Sequence, residues 1–210
     1  FELIELSKVD ISGMDKRIFR TKIIVLCDVQ NKLLGYEGAA RVFGPQKGAD
    51  KNEVALLEQC LKRWNDQTIQ TLQINMNKIK YGGAASGIAA GLAAYTSAKL
   101  VGGIEFFLDQ MYFDNLLHQA DLVITGEGSI DDQTLEGKGP FGVAKRAKKR
   151  NIPVIGMAGQ IKVSPQSKLY GYFKELIVIN PPGISLEKVI KDTAVNLKRA
   201  ACRWGNTDKF

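Results

Sequence analysis

Residues 121–159 read DLVITGEGSIDDQTLEGKGPFGVAKRAKKRNIPVIGMAG. The apolar runs at 122–125 and 152–157 have the composition of strands buried on both faces. Between them come glycines, carboxylates, Thr134 and Lys138, then a basic helix over 139–150 with Pro140 in its first turn. A strand, a glycine-rich connection and a helix leading to another strand form the building unit of a parallel sheet. In such sheets ligands bind beyond the carboxyl ends of the strands, which is where this charge and backbone freedom fall.

The alternation continues downstream. A strand at 152–158 leads to a short helix near 165–171, and a strand at 175–179 leads to a long helix at 185–203. That helix carries Leu186, Val189, Ile190, Leu197 and Ala201 on one face, with Ser185 as its cap. Upstream, 21–29 reads as a strand ending on Asp28, followed by a glycine-punctuated loop over 31–50 with no regular period. Asp50 and Glu53 have capping-box spacing and open a helix with Val54, Leu57, Leu61 and Trp64 as its apolar stripe. A helical stretch is expected over 104–119. The fold class is α/β, built on parallel strands with helices packed over them, and a boundary between two modules is expected within 99–118.

Residues 81–98 carry no charge, and Gly83, Gly87 and Gly91 are spaced four apart. Only Ile88 and Leu92 are large aliphatics there, so the stretch reads as a buried helix closely approached by another backbone or a ligand, not as a membrane span.

Bulk composition narrows the chemistry. The 210 residues suffice for one large domain or two small ones. The net charge of +7 comes from lysines and arginines scattered along the chain, apart from the run at 145–150. That pattern suits an anionic small substrate better than a nucleic acid. The three cysteines form no CxxC pair, which fits a reducing cytoplasm. A single histidine, His118, rules out His-rich metal centres, and its context reads as a surface helix position. The start at Phe1, with no signal-like segment before the strand at 21–29, reads as a piece of something longer.

Two strand ends bear acids. Asp28 closes the first strand, while Glu127, Asp131 and Asp132 follow the strand at 121–125. A carboxylate so placed can hold Mg²⁺ or take a proton from an attacking hydroxyl. Gly126 and Gly128 allow close approach of backbone to ligand, and Lys138 stands at the helix entrance to meet a phosphate or carboxylate. The entrance at 81–87 and Lys47 offer further amides and charge. G-x-x-x-x-G-K-[ST] is absent, and no GxGxxG fingerprint follows a strand. These residues describe an anion-binding, phosphate-handling α/β site without naming a substrate.

Three blocks in order resemble the bacterial glycerate kinase family: CDVQNKLLGYEGAARVFGPQKGA (27–49), GGAASGIAAGLAAY (82–95) and ADLVITGEGSIDDQTLEGKGPFGVAKRAK (120–148), with PVIGMAG (153–159) behind them. The resemblance implies transfer of the ATP γ-phosphoryl group to a hydroxyl of D-glycerate, with ATP and Mg²⁺ as cofactors, in the cytoplasm. It implies no nucleic-acid or membrane partner and leaves homo-oligomerisation open. It implies two α/β modules, one inserted into a Rossmann-like one. Residues 1–103 would belong to the inserted module and 104–210 to the C-terminal part of the Rossmann-like one, the family's N-terminal portion being absent from this sequence. By the same resemblance Asp131, Glu127 and Asp28 are the catalytic candidates, with Asp131 or Glu127 binding Mg²⁺ or accepting the hydroxyl proton. Asn31, Lys47, Gly83, Ser86, Gly126, Gly128, Gln133, Thr134 and Lys138 would contact substrate or nucleotide, with Thr134 hydrogen-bonding the substrate. The family usually has proline where Lys32 stands, and more glycine than Ser86 and Ala89 supply. The alternative is a non-catalytic α/β binding module that keeps the kinase fold with half its site.

Overall fold

The computed structural model describes residues 2–207, with the side chains of Gln133 and Glu136 outside that description. The chain divides into two compact units, 1–106 and 107–210. The first holds β1 (Ile24–Cys27), α1 (Ala39–Phe43), α2 (Lys51–Leu72), α3 (Ile88–Thr96) and β2 (Lys99–Gly102). Helix α4 (Gly103–Gln110) carries the chain across the division. The second unit continues with α5 (Phe113–Leu117), β3 (Val123–Asp131), α6 (Gly139–Lys148), β4 (Val154–Lys162) and β5 (Glu175–Val178). It ends with α7 (Leu186–Lys191) and α8 (Thr193–Gly205).

In the first unit β1 and β2 pair in parallel, from Ile24 opposite Lys99 to Cys27 opposite Gly102. The spacing at Asp50 forms a complete capping box. Asp50 Oδ1 accepts from the N–H groups of Asn52 (2.7 Å) and Glu53 (2.9 Å), and Glu53 Oε2 accepts from Asp50 N–H (2.8 Å). Trp64 on α2 explains one of the glycines in the uncharged stretch, because a Cβ on Gly91 would lie 2.8 Å from its ring. The indole N–H donates to the Tyr95 hydroxyl (2.8 Å), which is 2.6 Å from Thr68 Oγ1. Around this contact Leu33, Met76, Ala90 and Ala94 are buried. The expected loop over 31–50 contains α1 and a 3₁₀ turn at Pro45–Lys47, held by the burial of Ala39 and Ala40 rather than by any apolar period.

The second unit is a three-stranded parallel sheet in the order β3-β4-β5. Successive residues of β4 face opposite cores. Val154 packs with Ile130, Ala144, Ala147 and Phe173 on one side, and Ile155 packs with Met157, Ala200 and Trp204 on the other. Helices α6 and α8 thus cover the two faces, which is why these strands read as continuous apolar runs.

Three expectations need correction. Strand β3 does not end at Thr125 but runs through the glycines and acids to Asp131, paired along β4 as far as Asp131 opposite Lys162. Tertiary pairing overrides the low strand propensity of GEGSID. The helix expected at 185–203 is broken at Asp192 (φ −93°, ψ 8°), where Thr193 Oγ1 donates to the carbonyls of Val189 and Ile190, both at 2.9 Å. The break rotates the intended stripe apart: Val189, Asn196, Ala200 and Trp204 are buried, while Leu186 and Ile190 are about two-thirds exposed. Ser185 makes no side-chain cap there.

The basic run at 145–150 is partly turned inward. Arg146 is 8% exposed and donates to Asp109 (2.6 Å) and Asp114 (3.0 Å), and Lys148 sits 4.5 Å above the Tyr172 ring. His118 is exposed, with Arg150 3.3 Å from its Nδ1. Among the described residues no helix is long and apolar enough to cross a membrane.

The ladder between β3 and β4 requires glycine at two points. A Cβ on Gly126 would collide with the Met157 carbonyl oxygen, and one on Gly159 would lie 2.7 Å from the Gly128 carbonyl oxygen. Gly128 itself has open space around it. Gly126→Ala is therefore expected to destabilise the protein by about 1–3 kcal/mol in urea unfolding. Gly128→Ala should leave the midpoint unchanged, and equal effects at the two positions would refute this account.

Candidate functional site

The extension of β3 brings the acids together. Glu127 and Asp131 lie on the strand, and the chain then turns through a 3₁₀ segment (Asp132–Glu136) into α6. Gly137 closes that turn at φ 119°, a conformation that favours glycine, and puts Lys138 at the N-cap of α6. Thr134 Oγ1 donates to Glu127 Oε1 (2.9 Å) and accepts from Asp131 N–H (3.2 Å). Lys138 Nζ donates to Asp131 Oδ1 (3.0 Å), the two side chains being 36% and 28% exposed. Next door on β4, Lys162 is the ladder partner of Asp131. The result is a partly screened cluster of carboxylates and ammonium groups at the carboxyl ends of β3 and β4.

Thr134 lies at the centre of this cluster. It is fully buried, and its hydroxyl is engaged in both directions between the two acids. Gly126 is a glycine for strand packing, whereas Gly128 faces open space. The side chain of Gln133 lies outside the described residues.

The remaining candidates belong to the first unit. Asp28 is exposed just beyond β1. Burial, and then the charge of Asp28, push the neighbouring Cys27 thiol above its ordinary pKa. The Asn31 side-chain amide donates to the Glu37 carbonyl (2.9 Å), and the Asn31 backbone carbonyl accepts from Gly83 N–H (2.9 Å). A Cβ on Gly83 would strike the Lys32 carbonyl oxygen, so Gly83 and Asn31 are packing partners. Lys47 Nζ donates to Ser86 Oγ (2.7 Å), and both side chains are exposed. Ala85, Ser86 and Gly87 have φ values of 50°, 57° and 100° in succession. A non-glycine residue held so costs on the order of 1–3 kcal/mol, and such strain collects at functional sites.

Comparison with known proteins decides the lineage. The model of the glycerate kinase family matches residues 1–207. The chain belongs to the glycerate kinase family. A glycerate kinase of Bacillus subtilis (strain 168) is 39% identical over 199 residues, covering 95% of this chain and 52% of that protein. A glycerate 2-kinase of Escherichia coli (strain K12) is 42% identical over 156 residues, covering 74% of this chain and 41% of that protein. A crystal structure assigned as a glycerate kinase 2, from Salmonella typhimurium LT2, superposes with a TM-score of 0.68 at 38% identity, covering 97% of this chain and 54% of that one. The chain thus spans about half the length of the relatives it matches.

Metal binding in this glycerate kinase family member would rest on few protein ligands. Among the described residues no group of three or more His, Cys, Asp or Glu could hold an ion. Mg²⁺ usually takes one or two carboxylates and completes its shell with phosphate oxygens and water, a demand that Glu127 and Asp131 would meet.

Residues 160–162, 178 and 180–184 did not figure among the expected site residues, yet they lie at or just beyond the carboxyl ends of β4 and β5 and line a hollow of the second unit. The rule that ligands collect at strand ends applied to them equally. It led only to the acid-bearing ends.

Two measurements test the cluster. Thr134→Val leaves Glu127 Oε1 and the Asp131 N–H without their shared partner and should cost about 1–3 kcal/mol of stability, largely restored by Thr134→Ser. The second concerns Asp132, whose Oδ2 accepts from Ser164 N–H (3.2 Å). Hydrogen bonds from the Ser167 hydroxyl and then the Ser164 N–H hold its carboxyl below the ordinary value. The folded pKa being the lower one, this contribution is complete above the ordinary value and vanishes as pH falls through the folded one. The stability difference between the parent and Asp132→Asn should therefore close below about pH 4.

Proposed function

We propose that the protein acts in the cytoplasm as a glycerate kinase, transferring the γ-phosphoryl group of ATP to a hydroxyl of D-glycerate and releasing phosphoglycerate and ADP. The observation that carries this reading is the hydrogen-bonded series Glu127–Thr134–Asp131–Lys138 at the carboxyl end of β3, in a member of the glycerate kinase family. Relatives named glycerate kinase at about 40% identity favour an enzyme over a non-catalytic binding module.

Phosphoryl transfer asks a protein mainly for positioning and charge neutralisation. The glycerate hydroxyl oxygen forms the new bond to the γ-phosphorus while the bond to the β,γ-bridging oxygen breaks. Asp131 or Glu127 accepts the hydroxyl proton. Lys138 uses one of its three N–H donors on Asp131, leaving the others for a phosphate or the glycerate carboxylate. In the first unit, Lys47 and Asp28 stand as further candidates, Lys47 as a cation and Asp28 as an acid. Glu127 and Asp131 would hold Mg²⁺, which would offset the negative charge of the phosphates.

The test is a coupled ADP-release assay with D-glycerate. Asp131→Asn preserves size and removes charge and basicity, so kcat should fall at least a hundredfold. Turnover within twofold of the parent would discard Asp131 from the chemistry.

A further inference from the structure

We infer that the hollow at the carboxyl ends of β4 and β5 seats the heterocyclic base of the nucleotide donor. The inference rests on the kinase reading and adds the part of the nucleotide that the acid cluster leaves unplaced. The hollow has a volume of about 570 Å³ and lies wholly within the second unit. That is inside the ~300–1,000 Å³ range of small-molecule sites.

Its walls are aliphatic. Ile161 and Val178 come from the strand ends, and Pro182 and Ile184 from the connection to α7. Val178 is 48% and Ile184 42% exposed, so apolar surface is left open to water. Such walls suit the faces of a flat heterocycle. Glycerate, with its carboxylate and hydroxyls, would gain nothing from them, and a phosphate would lose hydration there without compensation.

The polar groups are few and placed at the rim and floor. Asn180 Nδ2 donates to the Gly159 carbonyl (3.0 Å), and its Oδ1 accepts from Asn196 Nδ2 (3.1 Å). Asn196 is 5% exposed, so the floor is tied to α8 and held rigid. The exposed Gln160 amide, able to donate and accept, meets the requirement of a heterocycle's hydrogen-bonding edge.

Strand register connects the hollow to the acid cluster. Gln160 is opposite Ser129, and Lys162 is opposite Asp131. Adjacent strands lie about 4.8 Å apart, so the base seat begins one strand over from the carboxylates. Lys162 lines the hollow on the side toward Asp131, where a polyphosphate leaving the base would pass.

The test is equilibrium titration of the protein with ATP, adenosine and inorganic tripolyphosphate. Ile184→Asp, in an exposed connection, should weaken ATP and adenosine at least tenfold and leave tripolyphosphate unchanged. Lys138→Ala should show the opposite pattern, weakening tripolyphosphate and sparing adenosine. Gln160→Ala, on the rim, provides a second variant and should weaken both adenine ligands several-fold with an unchanged melting curve. Unaltered ATP affinity in a folded Ile184→Asp protein, or a parent that binds neither ATP nor adenosine, overturns the inference. Adenosine binding that depends on Ile184, without any transfer to glycerate, would uphold the base seat and reject the kinase reading. Transfer to glycerate that Ile184→Asp leaves intact would do the reverse.

Discussion

The close approach of β3 to β4 is the constraint on which the second unit is built. Two glycines make it possible, Gly126 against the Met157 carbonyl and Gly159 against the Gly128 carbonyl. With these contacts the parallel ladder continues past the apolar halves of both strands. Polar residues that would otherwise sit in a loop are held in sheet register. Glu127 and Asp131 on β3, and Gln160 and Lys162 on β4, owe their mutual placement to this extension. Side chains on strands are held more firmly than side chains on loops, and phosphoryl transfer depends on positioning more than on any covalent device of the protein.

Much of this was legible before any coordinates. The strand–helix alternation after residue 120 follows from short apolar runs bounded by glycine and proline, and the capping box at Asp50 is a spacing that local chemistry alone enforces. What could not be read was the outcome of competition between local preference and pairing. GEGSID looks like a loop because glycine and acids are poor strand formers, yet β4 pairs with five of its six residues. Strand β2 went unread because its four residues, Lys99–Gly102, lack both length and alternation. The break at Asp192 turns on one threonine hydroxyl choosing backbone carbonyls, a choice no hydrophobic pattern records.

The site illustrates a different limit. Sequence identifies residue types suited to chemistry but not the direction each side chain takes. Thr134 sits in the most distinctive motif of the chain and is fully buried, its hydroxyl fixing one carboxylate and one backbone N–H. Asn31 and Gly83 likewise close a loop around each other. The hollow past β4 and β5 was passed over for the converse reason: aliphatic residues and prolines carry no reactive group to attract attention. Recognition of a nucleotide base nonetheless depends on such surfaces more than on charge.

The basic run at 145–150 shows how charge density can mislead when it is counted along a helix rather than around it. Successive residues of α6 point about 100° apart, so a run of cations is distributed over every face. Arg146 points inward, where two carboxylates satisfy its guanidinium; unpaired at that depth it would be strongly destabilising. Because Asp109 lies on α4 and Asp114 on α5, one arginine ties both segments to the helix that begins at Lys138. The entrance of α6 carries the cation of the acid cluster, and its far end is anchored by these two contacts of the buried Arg146. One residue of the run thus anchors the helix whose entrance carries Lys138.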